Sequence, residues 1–479
     1  MASGQRDDSS RTDCARIAEH AESERGPAAN KKPNIVIVFG DQWRAQATGY
    51  AGDPNVRTPH LDRLAGESIN FTHAISGFPV CSPYRGSLIT GQYPMTHGVF
   101  LNDVCLGNHA VSIAQACKQA GYQTAYIGKW HLDGHGRTTY IPPERRHGFE
   151  LWEVLECTHD YNSSIYYAGN SDKPQTWEGY DAIAQTRRAC EVIQDNAKAG
   201  DKPLLLMLSW GPPHNPYETA PPQYQAMYDP QRIVLRPNVA PANAQQARLD
   251  LAGYYAHCTA LDDCVGQVRD CLQQAGIEND TIFLFTSDHG DMVRSHVDGP
   301  WRKQRPWDES IRVPFLLRYP ARLGAQGRVV DKVIDAPDVM PTVLSLAGVD
   351  IPETVEGVDM SPWAAGAPAP ADDAGLLSCY WPFGHFTRAE SGREYRGLRT
   401  RRYTYVEDLE GPWLLYDNEE DPYQMTNLVN RSDTAGLQAR LAGQLRAKLK
   451  QMNDEFLPGI DYVRKWGYVT DEDGNAPQN

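Results

Sequence analysis

Four runs of apolar residues, each ending abruptly in a polar group, constrain this chain more than any other feature. They are Pro33-Asn34-Ile35-Val36-Ile37-Val38-Phe39, followed by Gly40-Asp41-Gln42; Gln123 to Ile127, followed by Gly128-Lys129-Trp130-His131; Pro203 to Ser209, followed by Trp210-Gly211-Pro212-Pro213-His214; and Thr281 to Phe285, followed by Thr286-Ser287-Asp288-His289. A continuous apolar run of this length reads as a strand buried on both faces of a parallel sheet. Helical spacing over Thr58–Ala65, Val111–Ala120, Tyr180–Asn196, Leu249–Ala275 and Pro337–Ala347 supplies the covering layers, so the expected class is α/β, with a large, mostly parallel sheet flanked by helices. In such sheets ligands gather at the carboxyl ends of the strands. Asp41, Lys129, His214 and Asp288 all fall there, a convergence not expected of unrelated surface residues. Asp262-Asp263, inside the longest helical stretch, reads as a helix-surface or cap feature.

At 479 residues and 41% hydrophobic content the chain can bury one large core and a smaller one. The expected division is a polar tail over 1–32, an α/β catalytic domain over 33–375 and an α+β subdomain over 376–479. The last is expected as short alternating strands at Tyr395–Thr400, Tyr403–Val406 and Trp413–Tyr416, then a helix over Thr434–Gln451, all after an Ala- and Pro-rich stretch at 364–374. No apolar run approaches a membrane span. A net charge of −15 argues against a nucleic-acid partner, which needs a basic face, but not against a small anion held by local cations in a cleft. The ten cysteines show no C-x-x-C pair and no zinc spacing, so they are expected as scattered thiols without a disulfide framework, a usage leaning towards a reducing compartment. The first 32 residues hold no apolar stretch of the kind a secretory signal needs; the chain as it stands is expected to be cytoplasmic, or periplasmic or secreted if a leader has been removed.

The stretch Cys81-Ser82-Pro83-Tyr84-Arg85-Gly86-Ser87-Leu88-Ile89-Thr90-Gly91 stands apart. A lone cysteine in apolar surroundings ordinarily behaves as a small hydrophobe. The combination C-x-P-x-R followed by T-G, however, resembles the signature of the type I, formylglycine-dependent sulfatases of the alkaline phosphatase superfamily. The resemblance extends from Pro33 to Leu428 and implies the alkaline-phosphatase-like sheet and hydrolysis of a sulfate ester. It implies that Cys81 is oxidised during synthesis to formylglycine, by a formylglycine-generating or an anaerobic sulfatase-maturing enzyme. The hydrated aldehyde carries two hydroxyls on one carbon; a divalent cation activates one, and loss of the other's proton restores the aldehyde.

The same resemblance distributes the remaining roles. Asp41, Gln42, Asp288 and His289, with the residue derived from Cys81, would bind one divalent cation, calcium first, with manganese or magnesium as alternatives. The family's usual Asp-Asp pair is Asp41-Gln42 here, which lowers the site charge by one. Lys129 and Lys303 would hold sulfate oxygens, Arg302 and Arg305 competing with Lys303 in a locally basic stretch. Arg85 would act beside the aldehyde, His131 as the base that triggers release, and His214, in Pro212-Pro213-His214-Asn215-Pro216, as general acid to the leaving oxygen.

Between Asp133 and Tyr167 a long segment, expected to be irregular, is dense in histidine, arginine and tyrosine; His135 and Arg137 are its leading substrate-binding candidates. Trp381, Phe383, His385 and Phe386 either reach over the cleft or form a hydrophobic domain seam. The expected substrate is a sulfate ester on a carbohydrate or polysaccharide. Two other readings remain open from the residues: a phosphonate or phosphate ester hydrolase of the same superfamily, and a non-catalytic glycan-binding protein should Cys81 stay a thiol.

Overall fold

A computed structural model describes residues 32–296, 303–368 and 373–477. The strands are β1 (Asn34–Asp41), β2 (Ile69–Ala74), β3 (Gln123–Lys129), β4 (Leu151–Leu155), β5 (Ile165–Ala168), β6 (Gln175–Thr176), β7 (Leu204–Pro213), β8 (Thr281–Ser287), β9 (Leu316–Arg318) and β10 (Arg328–Ile334). They form one mixed sheet in the order β10-β2-β9-β8-β1-β7-β3-β4-β5-β6.

β1 lies at its centre, parallel to β7 and β8, with Val36 opposite both Leu206 and Phe283. Because side chains alternate along a strand, Ile35, Ile37 and Phe39 enter one core with Leu205, Met207, Ile282 and Leu284. Val36 and Val38 enter the other with Leu206, Leu208, Phe283 and Phe285. Both faces are dry, so the run had no polar position to alternate with. The first face is covered by α1 (Cys81–Thr90) and α4 (Ala336–Ala347), the second by α2 (Asp181–Ala199) and α3 (Ala244–Gln274). Each such fully buried aliphatic side chain contributes about 1.5–3 kcal/mol.

A second sheet, β11 (Ala374–Cys379), β12 (Tyr395–Thr400), β13 (Tyr403–Asp408) and β14 (Gly411–Asp417), is antiparallel in sequence order. Leu376, Leu398, Tyr405 and Leu415 pack on α5 (Ala435–Gln451) through Leu441, Leu445 and Leu449. Its other face meets the first domain through Ile75, Ile311 and Trp307. The chain then leaves this unit. Helix α6 (Gly459–Trp466) returns to the first core, where Tyr462, Val463 and Ala476 are buried.

Several expectations need correcting. The segment after Asp133 is not irregular throughout: it contributes β4 and β5 to the sheet. β9 runs antiparallel to both neighbours, and three residues are too few to announce a direction. β10 and β11 were not foreseen; β10 exposes three of its seven residues, which hides the apolar run that marked the central strands. Cys190 and Cys271, separated by 81 positions, form a disulfide between α2 and α3; such a pairing depends on how two helices dock, which spacing does not reveal. Of the two readings of Asp262, helix surface or cap, the structure has the cap: buried, it accepts the backbone N–H groups of His60 (3.0 Å) and Leu61 (2.7 Å) at the start of the neighbouring helix Pro59–Ala65. Residues 1–31 of the expected tail lie outside the described residues, as do Trp301 and Arg302. Among the described residues no helix is long and apolar enough to cross a membrane.

Candidate active site

The ends of β1, β3, β7 and β8 meet the first turn of α1, and the residues brought together are those flagged by position alone. Cys81 is the first residue of α1 and only 1% exposed. Its Sγ lies 3.1 Å from Lys303 Nζ, 3.3 Å from His289 Nε2 and 3.6 Å from Asp41 Oδ1. Burial works to raise the thiol's pKa, as does Asp41, yet Lys129, Lys303 and His289 outweigh them and hold it well below the usual range.

Beneath Cys81 two buried carboxylates share Arg85. Its Nε and Nη2 donate to Asp288 Oδ2 at 3.1 and 3.0 Å, and Nη2 also donates to Asp41 Oδ2 at 3.3 Å. Nη1 is taken by the Lys129 carbonyl and Ser209 Oγ. Lys129 Nζ donates to Asp41 Oδ2 at 2.5 Å. Burial disfavours the charged form of Asp41, but Lys129, His214, Arg85 and His289 together keep its pKa well below the ordinary carboxylate value. Asp288 moves upward, through burial and the adjacent Asp41 charge.

The donor set fits a divalent cation. Asp41, Cys81, Asp288 and His289 each place one ligand atom within 4.8 Å of the others. His289 Nδ1 donates to the Gly290 carbonyl at 2.8 Å, which leaves Nε2 aimed between Asp41 and Asp288, 3.6 Å from an oxygen of each. That arrangement asks for a positive charge between ring and carboxylates. Gln42 Nε2 donates to Asp291 Oδ2 at 2.7 Å, while its Oε1 is buried with no hydrogen-bond partner among the described residues. A buried, unpaired carbonyl oxygen is a ligand of the type a hard cation takes.

Above this layer lies a cavity of about 170 Å³ into which Cys81, Lys129, His131, His214 and Lys303 all face. His214 Nδ1 donates to the Asn215 carbonyl at 2.9 Å, so its Nε2 is the acceptor for Lys303 Nζ at 3.2 Å. Burial, then Lys303, depress its pKa well below the usual histidine value. His159 stacks on it with ring centroids 4.5 Å apart. His131 Nε2 lies 3.3 Å from Asp103 Oδ1, and its Nδ1 is buried without a hydrogen-bond partner among the described residues. Burial would lower the ring's pKa; the sulfur of Cys157 and the contacts with Asp103 and Cys81 hold it up to about 10.

Comparison with known proteins gives the family. The sulfatase family model covers residues 33–349, and the model described as N-sulphoglucosamine sulphohydrolase, C-terminal, covers 298–452. The chain belongs to the sulfatase family. An ulvan-active sulfatase of Formosa agariphila is 44% identical to this sulfatase over 438 residues, spanning 91% of this chain and 85% of the relative. An endo-4-O-sulfatase of Bacteroides thetaiotaomicron is 31% identical, covering 88% and 92%. The solved structure of the YidJ sulfatase of Bacteroides fragilis superposes with a TM-score of 0.80 at 31% identity, over 90% of this chain and 98% of that one. The protein is a sulfuric ester hydrolase of the alkaline phosphatase superfamily.

Not every candidate of this sulfatase reaches the cavity. Arg85 does not line it: its donors are spent on Asp41, Asp288, Ser209 and the Lys129 carbonyl, which makes it a positioning residue for the carboxylates. His135 does not line it either; its ring is half exposed and turns back to the Asp133 carbonyl at 2.5 Å. Arg137 does, with Nε and Nη2 on the two oxygens of Asp103 at 2.9 and 2.7 Å. Of the three basic candidates after residue 300, Lys303 enters the site, Arg305 stacks on Phe386, and Arg302 lies outside the described residues. Sequence reading missed Asp103, whose pairing with His131 and Arg137 has no motif to announce it.

Replacing Arg85 with Met leaves both carboxylates buried with one cation fewer. Loss of one partner from a buried ion pair costs about 3–5 kcal/mol. The expected result is a loss of that size in chemical denaturation.

Proposed function

We propose that this sulfatase removes sulfate from a carbohydrate, using formylglycine formed at position 81 and one divalent cation, calcium in first place. The observation that carries the reading is Cys81 at the head of α1 and the floor of the cavity, between Lys303, His289 and Asp41 at 3.1–3.6 Å. The names of the relatives, ulvan-active sulfatase and endo-4-O-sulfatase, support a polysaccharide as the source of the ester.

Asp41, Asp288, His289 and Gln42 would hold the cation. When bound, it would lower the pKa of a hydroxyl on residue 81 and fix its direction. Lys129 and Lys303 offer two ammonium groups to the anionic sulfate oxygens and hold them in place while charge develops on the departing oxygen. His214 Nε2 delivers a proton to the departing sugar oxygen. Burial, and then Lys303, favour the neutral ring; an anion seated on the two lysines offsets the second of these and favours uptake of the proton. His131, oriented by Asp103 through Nε2, has Nδ1 left to accept a proton from the second hydroxyl of residue 81. Conversion of Cys81 removes one of the sulfurs that hold the ring protonated, moving it towards the neutral form a base requires.

Mass spectrometry of the peptide spanning Thr72 to Arg85 tests this reading. The expected spectrum shows the aldehyde in place of the thiol, in protein produced with a maturing enzyme. A fully converted protein that hydrolyses matched phosphate or phosphonate esters in preference to sulfate esters would overturn the assignment of its substrate.

A further inference from the structure

Part of the cavity wall is built by chain that neither family match reaches, since those end at 349 and 452. Asn475 and Ala476 line the cavity, next to Phe383, Gly384 and His385 from the loop after β11. We propose that these two short segments together form the surface that receives the sugar ring bearing the sulfate, with Asn475 a specificity-determining residue. The inference rests on the carbohydrate reading above and names the part of the site that recognises the carbohydrate.

The segment is held as a built element. Helix α6 packs Tyr462 and Val463 into the main core, Trp466 lies over Gly98, and Tyr468 Oη donates to the Gly98 carbonyl at 2.8 Å. The chain then turns back on itself. Asp471 N donates to the Asn475 carbonyl at 2.9 Å, and Asn475 N donates to Asp471 Oδ1 at 2.8 Å. The turn is pinned to the neighbouring loop by Trp381 Nε1, which donates to the Gly474 carbonyl at 3.0 Å. Gly474 has φ +80°, and a Cβ there would stand 2.6 Å from both the Pro382 carbonyl oxygen and Trp381 Nε1, so no other residue fits. Positions 471, 474 and 475 are thereby fixed, and Asn475 and Ala476 line the cavity.

The chemistry of this wall differs from that of the floor. Lys129, Lys303, His131 and His214 are suited to an anion and to proton transfer; Phe383, His385, Asn475 and Ala476 present an aromatic ring, an imidazole, an amide and a methyl group. A sulfated sugar has the same division, an anionic ester on a ring of hydroxyls and C–H faces, and pockets orient such ligands with a few placed polar groups on an otherwise apolar lining. Asn475 Nδ2 is turned to Asp471, 3.4 and 3.3 Å from its two carboxylate oxygens, which leaves Oδ1 to accept a hydrogen bond from a sugar hydroxyl; a small aryl sulfate needs the floor and has no such hydroxyl.

Asn475→Ala and Gly474→Val separate these demands. kcat/KM for a panel of sulfated monosaccharides is compared with that for 4-nitrophenyl sulfate, on protein with residue 81 converted. Loss of one hydrogen bond corresponds to about a tenfold effect, so Asn475→Ala is expected to lower the sugar-to-aryl ratio about tenfold, chiefly through KM, and Asn475→Gln to recover part of it. Gly474→Val, which displaces the turn, is expected to lower the ratio at least as far. A ratio that neither variant changes, in an enzyme active on sulfated sugars, overturns the wall and leaves the sulfatase reading intact. Converted, unaltered enzyme inert on every sulfated sugar would instead overturn the carbohydrate reading.

Discussion

Cys81→Ser is expected to cut turnover of any sulfate ester by at least about 10³-fold while leaving thermal stability nearly unchanged. The two side chains differ by one atom, and the position borders a cavity rather than a packed interior, so the fold should tolerate the change. The chemistry should not. A serine offers a single hydroxyl, and the second hydroxyl of the hydrated aldehyde, from which His131 would remove a proton, has no counterpart. Losing a nucleophile that other groups are arranged to assist removes most of their assistance with it, which is why such losses are large and non-additive. The measurement is kcat/KM on 4-nitrophenyl sulfate and on a sulfated sugar, with unfolding curves as control. Retention of full activity on both would show that position 81 is not the nucleophile.

His214→Ala should split its effect by leaving group. General acid catalysis contributes roughly 10²- to 10⁴-fold, and the contribution depends on how badly the departing oxygen needs a proton. A sugar alkoxide needs one; nitrophenolate leaves largely without. The expected loss is therefore in the 10²- to 10⁴-fold range on a sugar sulfate and much smaller on the nitrophenyl ester. Equal losses would remove His214 from this role and point instead to its contact with Lys303 Nζ at 3.2 Å, since that contact supports the binding of either substrate.

Both expectations concern residues that are legible in the sequence itself, and the reason is geometric. A strand buried on both faces has no freedom in composition, so β1, β3, β7 and β8 stand out by their apolar runs. A polar group that ends such a strand has little choice but to join its neighbours at the carboxyl edge. Arg85 was legible as a member of the site but not in its function, because a motif gives position and says nothing of which side the guanidinium faces. The pair Asp103–Arg137 spans 34 residues with no pattern between. His135 looked as well placed as Arg137, yet a small difference in where the loop turns sends it back to Asp133. Phe383 and His385 divided from Trp381 and Phe386 for the same reason: the first two face the cavity, while Trp381 and Phe386 lie in the seam. The antiparallel β9 and the Cys190–Cys271 bridge depend on docking of distant elements, which local periodicity does not encode.

The wall around Asn475 also bears on the timetable by which the protein is made. Position 81 leaves the ribosome about 400 residues before Ala476, and translation at roughly 5–20 residues per second puts about 20 to 80 seconds between them. Throughout that interval the pocket lacks one side, and the thiol that ends 1% exposed is still within reach of another protein. If position 81 is converted as proposed, the modifying protein has that interval in which to reach it, and chains that fold with the thiol unconverted would share the fold of the others while lacking the aldehyde.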